Sequence, residues 1–356
     1  MMALALALGR RALGRTWPNP AVGAVIVKDG SIAGRGWTQP GGRPHAEVEA
    51  LRRAGEAARG GTLYVTLEPC SHFGKSPPCA DAVIAAGIAR VVSALEDPNP
   101  DVAGAGHARL REAGIAVDVG VGAQEALCDH AGHLRRMREG RPHVLLKLAV
   151  SADGKVAAAG RRPLAITGEA VRERVHLMRA HSDAVMVGIG TVSSDDPMLT
   201  CRLPGMADRS PVRIVLDSAL RLALRSRLVE TAGATPVWVL AANEASPSAE
   251  AALRQNNVEV LRSSAAGGTL ELDAALRLIA ARGITRLMVE GGPTLAASLL
   301  AADLVDEVHV FTSSKIVGAD GIDAFTGSAA AALGSRLRQV ESEPVGADRH
   351  QAYQRR

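Results

Sequence analysis

The chain has 356 residues, 47% hydrophobic, 22% charged and only 2% aromatic, with a formal net charge of +4. At roughly 100–200 residues per domain that length predicts two domains, and the composition excludes a disordered or fibrous protein. Three Phe, three Trp and two Tyr are too few for a base-stacking platform, and no dense Lys/Arg block marks a duplex-binding face.

The first eight residues are apolar, but Arg10, Arg11 and Arg15 follow that run instead of preceding it. It therefore reads as the first helix of a domain and not as a signal peptide. Residues 22–28 are a short apolar strand ended by Asp29 and Gly30, a hairpin signal that makes 31–37 the returning strand. The Ala- and Glu-rich run 44–59 predicts a helix, with Pro44 near its first turn. A strand at 62–67 leads to a helix at 78–86 closed by Gly87. A strand at 91–95, a helix at 103–113 closed by Gly114 and a strand at 115–119 follow. This β-β-α-β-α-β-α-β order predicts an α/β layer domain of about 140 residues.

Residues 120–143 read as a helical connector. A second α/β series then opens with a strand at 144–151. Further strands are expected at 184–187, 212–216, 236–240, 258–261, 287–289 and 307–311. Helices are expected at 169–180, 249–254, 272–282 and 295–301, and 241–250 reads as a surface loop leading into a helix. The expected domains are therefore 1–143 and 144–356. No apolar run approaches the roughly 18 residues of a membrane span. Four cysteines, Cys70, Cys79, Cys128 and Cys201, are too few for a disulfide framework, which points to a reduced, cytoplasmic setting.

Three segments carry chemistry. His45 and Glu47 open one predicted helix, Cys70 follows a strand, and Cys79 opens the next helix. One His and two Cys suit zinc, with the fourth position left to water. Both cysteines lie at or near helix starts, where partial positive charge favours thiolate. Glu47 is then placed to act as general acid and base. This follows the zinc-deaminase pattern H-x-E…P-C-x-x-C, with one departure: eight residues, not two, separate Cys70 from Cys79. The bland reading is three unrelated buried side chains. Their position at strand ends and helix starts, beside Pro and an ionisable Glu, weighs against it.

The run 68–79 (EPCSHFGKSPPC) resembles the deaminase domain of the bifunctional riboflavin-biosynthesis deaminase/reductase family. So do 18–27 (PNPAVGAVIV), 44–47 (PHAE) and 97–104 (DPNPDVAG). The segments 146–155, 165–168, 187–192, 195–200, 214–218 and 289–295 resemble its reductase domain, so the likeness spans almost the whole chain. It implies an α/β protein of two domains, an N-terminal cytidine-deaminase-like layer domain and a C-terminal dihydrofolate-reductase-like domain. It implies one zinc ion on His45, Cys70 and Cys79, catalysis by Glu47, and substrate contacts at Asn19, His72, Lys75, Asp97 and Asn99.

In the second domain the resemblance assigns Lys147, Arg179, Leu199, Arg202 and Glu290 to the substrate. It assigns Ala149, Thr191, Asp195, Ser218, Gly292, Pro293, Thr294 and Leu295 to NADPH. The chemistry agrees: glycines at 291–292 allow close backbone approach, and a helix start offers N–H groups to a pyrophosphate. The segment 188–191 offers the same from the preceding crossover. Neither segment is a Rossmann fingerprint. NADPH over NADH rests on the resemblance alone, with no residue identified for the 2′-phosphate.

The implied reactions are hydrolytic deamination of a diaminopyrimidinone ribosyl 5-phosphate, then reduction of the ribosylamino side chain to the ribityl form. The implied partners are that phosphorylated pyrimidine and a second copy of the chain, a dimer being favoured, with no nucleic acid and no membrane. Cys128 and Cys201 have no assigned role. A second departure falls at 161–167, where Pro163 and Ala165 stand in place of the family's Ser and Trp. It raises one alternative, a deaminase whose reductase domain has lost activity. Two further rivals are a nucleic-acid-editing deaminase, which needs basic and aromatic surfaces absent here, and a structural zinc module, which needs a fourth protein ligand and no Glu47.

Overall fold

The computed structural model describes residues 1–74, 76–100, 102–161, 164–324 and 334–356. The chain divides into two compact units, Met1–Gly140 and Arg141–Arg356. No helix among the described residues is long and apolar enough to cross a membrane.

In the first unit, α1 (Met2–Arg10) precedes the hairpin β1 (Gly23–Lys28) and β2 (Ser31–Trp37). Asp29 (φ 48°) and Gly30 (φ 77°) make its turn, the left-handed pair that a two-residue hairpin demands. The elements α2 (Ala46–Ala54), β3 (Thr62–Val65), α3 (Cys79–Ala85), β4 (Arg90–Ser93), α4 (Ala105–Glu112) and β5 (Ala116–Val119) follow, then α5 (Ala123–Asp129) and α6 (Ala131–Glu139). The sheet order is β2-β1-β3-β4-β5, with β3, β4 and β5 parallel.

Strand alternation sorts the core into two layers. Ile26, Leu63, Val65 and Val91 pack with Ala50, Val83 and Leu110 of α2, α3 and α4. Val25 and Val92 face the other way, against Met2 and Leu6 of α1 and Ala126 of α5. Helix α2 lies directly on β2: a Cβ on Gly36 would stand 2.3 Å from the Ala46 carbonyl oxygen. Only glycine permits that approach, and it fixes the helix start that carries His45 and Glu47.

The second unit holds β6 (His143–Val150), β7 (Lys155–Ala157), α7 (Glu169–Ala180), β8 (Ala184–Gly188), α8 (Ile189–Asp195), β9 (Val212–Leu216) and α9 (Arg227–Glu230). Next come β10 (Val237–Ala242), α10 (Pro247–Gln255), β11 (Val258–Ser263), β12 (Ala265–Ala266), β13 (Thr269–Leu270) and α11 (Leu272–Ala281). The unit closes with β14 (Arg286–Val289), α12 (Pro293–Ala301), β15 (Glu307–Thr312), β16 (Ile322–Asp323), β17 (Leu337–Val345) and β18 (Asp348–Arg355). The nine-stranded order is β11-β10-β9-β8-β14-β6-β15-β18-β17. Strands β6, β8, β9, β10, β11, β14 and β15 are parallel, and their apolar runs reflect burial on both faces.

Besides the short elements β7, α8, α9, β12, β13 and β16, which the sequence reading does not include, two larger features depart from the sequence expectation. The connector is two helices, α5 and α6, because His130 (φ −93°, ψ 7°) leaves helical geometry between them. The antiparallel edge β18–β17 was not anticipated. Most of β17 is exposed, so it carries no apolar alternation to betray a strand.

Candidate functional site

The first unit gathers its chemistry where β3 ends and α2 and α3 begin. His45 is the residue before α2, extended at φ −69° and ψ 161°, so its ring turns toward the loop after β3. Its Nδ1 lies 3.2 Å from Cys79 Sγ and 3.7 Å from Cys70 Sγ. The Cys79 backbone N–H donates to Cys70 Sγ at 3.3 Å. The three ligand atoms lie within 4.8 Å of one another. One imidazole and two sulfurs form a zinc donor set, and three protein ligands leave a position for a reacting water.

The local electrostatics fit a cation. Hydrogen bonding from Cys79, assisted by His45, pulls the Cys70 thiol down to about 4. The same bond and burial push Cys79 well above the ordinary thiol value. Without a cation the pair thus holds one thiolate, and a divalent ion would stabilise two. Glu47 is only 3% exposed, and burial lifts its carboxyl to about 7. A carboxyl that is half protonated near neutrality suits an acid–base shuttle.

Asn19, His72, Asp97 and Asn99 line one cavity of about 240 Å³ with His45, Glu47 and Cys70. Lys75 lies outside the described residues. Asp97 Oδ1 accepts from the Asn99 backbone N–H at 2.9 Å and pairs with His133 Nε2 at 2.8 Å. His133, on α6, had no assigned role, and neither had Glu68. The buried Glu68 carboxylate accepts backbone N–H bonds from Asp97 (3.1 Å), Gly104 (3.0 Å) and His107 (3.0 Å). It thereby ties the 97–104 loop to the segment carrying Cys70. Gly106 completes the seat, since a Cβ there would meet the Pro69 carbonyl oxygen at 2.0 Å.

The second unit forms an elongated cavity of about 790 Å³ at the carboxyl ends of β6, β14, β8 and β9. Lys147, Arg179, Leu199 and Glu290 line it. Ala149, Thr191, Asp195, Ser218 and the α12 start, Gly292 to Leu295, line it as well. Arg202 does not: it is exposed, and its Nη1 donates to Thr200 Oγ1 at 3.3 Å. Pro163 lies outside the described residues, and Ala165 is exposed.

Arg179 and Glu290 form a fork, Nε to Oε1 at 2.5 Å and Nη2 to Oε2 at 2.9 Å. Burial is the largest influence and would raise the Glu290 carboxyl, but the charge and hydrogen bonds of Arg179, with the charges of Lys147 and His176, together hold it below the usual value. Burial lowers the Lys147 amine. Gly292 runs beside Thr191, whose Oγ1 is 3.4 Å from where a Cβ would stand. A cavity of this size, with an unencumbered backbone at a helix start, fits a dinucleotide.

Comparison with known proteins agrees with this division. The family model for the cytidine and deoxycytidylate deaminase zinc-binding region matches residues 1–95. The model for the RibD C-terminal domain matches residues 142–350. The riboflavin biosynthesis protein RibD of Escherichia coli is 43% identical over 360 residues, covering 98% of this chain and 96% of that protein. The solved structure of Acinetobacter baumannii RibD has a TM-score of 0.87 at 35% identity, covering 100% of this chain and 98% of that one. A diaminohydroxyphosphoribosylaminopyrimidine deaminase/5-amino-6-(5-phosphoribosylamino)uracil reductase from Thermotoga maritima gives 0.85 at 35% identity, covering 100% and 97%. The chain belongs to the RibD family of bifunctional deaminase/reductases of riboflavin biosynthesis.

Proposed function

We propose that residues 1–143 deaminate 2,5-diamino-6-(5-phosphoribosylamino)pyrimidin-4-one and that residues 144–356 reduce the resulting uracil's ribosylamino side chain to ribityl with NADPH. The observation that carries the first half is the convergence of His45, Cys70 and Cys79 beside the buried Glu47. These three residues would hold zinc, which supplies Lewis-acid activation of water, bringing its pKa to about 7. A Glu47 carboxylate oxygen takes the proton from the attacking water and returns it to the departing amino nitrogen. Asp97, held by His133 and the Asn99 backbone, orients the pyrimidine with Asn19 and Asn99, and His72 lies at the exposed rim.

In the second unit NADPH supplies the hydride. Residues 292–295 at the α12 start would hold its pyrophosphate, with Thr191 beside them. Lys147 and the Arg179–Glu290 fork orient the opened ribosylamino chain at the β6 end, and Leu199 shapes the wall. No observation favours a chain whose second unit has lost activity, since the cavity keeps its charged residues and its glycine-lined backbone. A homodimer and a cytoplasmic location belong to the same proposal; a sedimentation mass of two chains checks the first.

The test is Glu47→Gln. It should keep zinc by elemental analysis and lose deamination by about 10²–10⁴-fold, the usual weight of a general acid–base. Deamination at the wild-type rate would contradict the role given to Glu47.

A further inference from the structure

A row of titratable side chains crosses the second sheet from β6 through β15 and β18 to β17, and none of them is assigned to substrate or cofactor. In the strand register His350 on β18 is opposite Phe311 on β15 and Glu343 on β17. Glu307 and His309 precede Phe311 at two-residue intervals, so these side chains share one face. His143 on β6 closes the row, its Nε2 3.1 Å from Glu307 Oε2. His309 Nε2 lies 2.9 Å from Glu307 Oε1, and His309 Nδ1 lies 2.8 Å from His350 Nε2. His350 Nδ1 lies 3.4 Å from Glu343 Oε1. Phe311 stacks on His350 with ring centroids 4.7 Å apart.

Counting hydrogens along the row fixes its charge. A contact of 2.8 Å between two imidazole nitrogens holds a single hydrogen: with none, two lone pairs meet, and with two, the N–H groups collide. A carboxylate only accepts, so the ring nitrogens facing Glu307 and Glu343 donate. The Glu307–His309, His309–His350 and His350–Glu343 bonds each need a hydrogen, one more than two neutral imidazoles bring. Burial, with the His309 charge beside it, lowers His350 from its ordinary 6.5, so the extra proton sits on His309. Burial would raise Glu307, but its bonds to His143 and His309 and their charges hold it well below the usual carboxylate value, which makes it the counter-charge. The same row ties the last hairpin to α7. Glu343 Oε1 accepts from Arg174 Nη2 at 2.9 Å, and Asp348 Oδ2 accepts the Gly168 backbone N–H at 2.7 Å, at the start of the helix that carries Arg179. The remaining charges that face the pair are Glu341 on β17 and Asp306, 4.0 Å from His143 Nδ1.

We propose that His309 and His350 form a one-proton clamp, a single imidazolium held between Glu307 and Glu343 that fastens the β17–β18 hairpin to β15 and α7, and that a second proton opens it. The second proton puts hydrogens on both facing nitrogens, breaks the bond between the rings and sets two cations side by side. An open hairpin returns His350 to water and to its ordinary value. Between 6.5 and the lowered His350 value the open form therefore binds more protons than the closed one. Closure weakens as pH falls through that window, and the penalty is absent above it. The device does not depend on the reaction that the second unit performs.

The experiment combines nitrogen NMR of the imidazoles with amide hydrogen exchange on the full, zinc-loaded chain, from pH about 7.5 to about 5, the range in which histidine titrates. The two rings are assigned through their contact with Phe311. At pH about 7, where an ordinary histidine is mostly neutral, the wild type should show His309 with hydrogens on both nitrogens and His350 with one on Nδ1 only. A neutral His309 at that pH overturns the clamp. In acid, once exchange is corrected for its intrinsic pH dependence, protection of residues 337–355 should fall by about tenfold per pH unit, and that of 168–180 should fall with it. His350→Gln keeps a group that accepts from His309 and donates to Glu343 but does not titrate. Its protection should change by less than about threefold over the same range. Two imidazolium rings with the hairpin still protected, or an acid step of wild-type size in His350→Gln, also overturns the proposal.

Discussion

The two sites solve different problems with different amounts of protein. The first is compact: three ligand atoms within 4.8 Å and one buried carboxyl, in a cavity of about 240 Å³. Its power lies in perturbation, a Glu47 lifted to about 7 and a Cys70 pulled down to about 4. The second is extended: ordinary residues from four neighbouring strands along a cavity of about 790 Å³. Its buried charge pair is Arg179 forked to Glu290. Proton transfer to water needs one tuned acid, whereas hydride transfer needs a long cofactor held in register. The difference teaches that a site's size follows the reagent it must hold.

This contrast can be broken at each unit separately. Glu47→Gln has the largest expected effect, and it must spare the second reaction. Supplied with the deaminated uracil, the variant should oxidise NADPH at the wild-type rate; a parallel loss would mean the two sites are not separate. Arg179→Met comes next. It leaves Glu290 largely buried without its fork, which costs about 3–5 kcal/mol when one partner of such a pair is removed. Denaturant unfolding should show that loss in the second unit. NADPH oxidation should fall, while ammonia release at 25 °C persists.

The smallest effect is one of pH. Burial, helped by Arg209 and Arg286, holds His181 down to about 4 from its ordinary 6.5. Between those values the unfolded chain binds more protons than the folded one, so stability falls as pH drops through that window and is fully present above it. The contribution is up to about 3 kcal/mol. His181→Asn should flatten the acid limb of an unfolding curve for the second unit and leave that of the first unchanged.

The difference between the sites also decided how much could be read from residues alone. His45, Glu47, Cys70 and Cys79 stand within 35 positions, at element ends that hydrophobic patterning marks, so their chemistry was legible. Glu68 and His133 were not. Glu68 works through backbone N–H groups 29 to 39 residues away, and His133 meets Asp97 across 36 residues. No local pattern encodes such bonds. In the second unit the cavity residues are common types whose meaning comes from strand order, so only the likeness to a family reached them. Arg202, which the same likeness names, does not line the cavity and donates to Thr200 Oγ1 beside it. The hairpin β17–β18 has no apolar period to detect: β17 is a mostly exposed edge, and the buried positions of β18 are Asp348, His350 and Ala352.

The central claim is that one chain carries two working sites used in succession. The direct measurement gives the wild-type, zinc-loaded chain the diaminopyrimidinone ribosyl phosphate and NADPH, and follows ammonia and NADPH independently. The account predicts ammonia release first and one NADPH oxidised for each ammonia at completion. Ammonia released with NADPH untouched would contradict it.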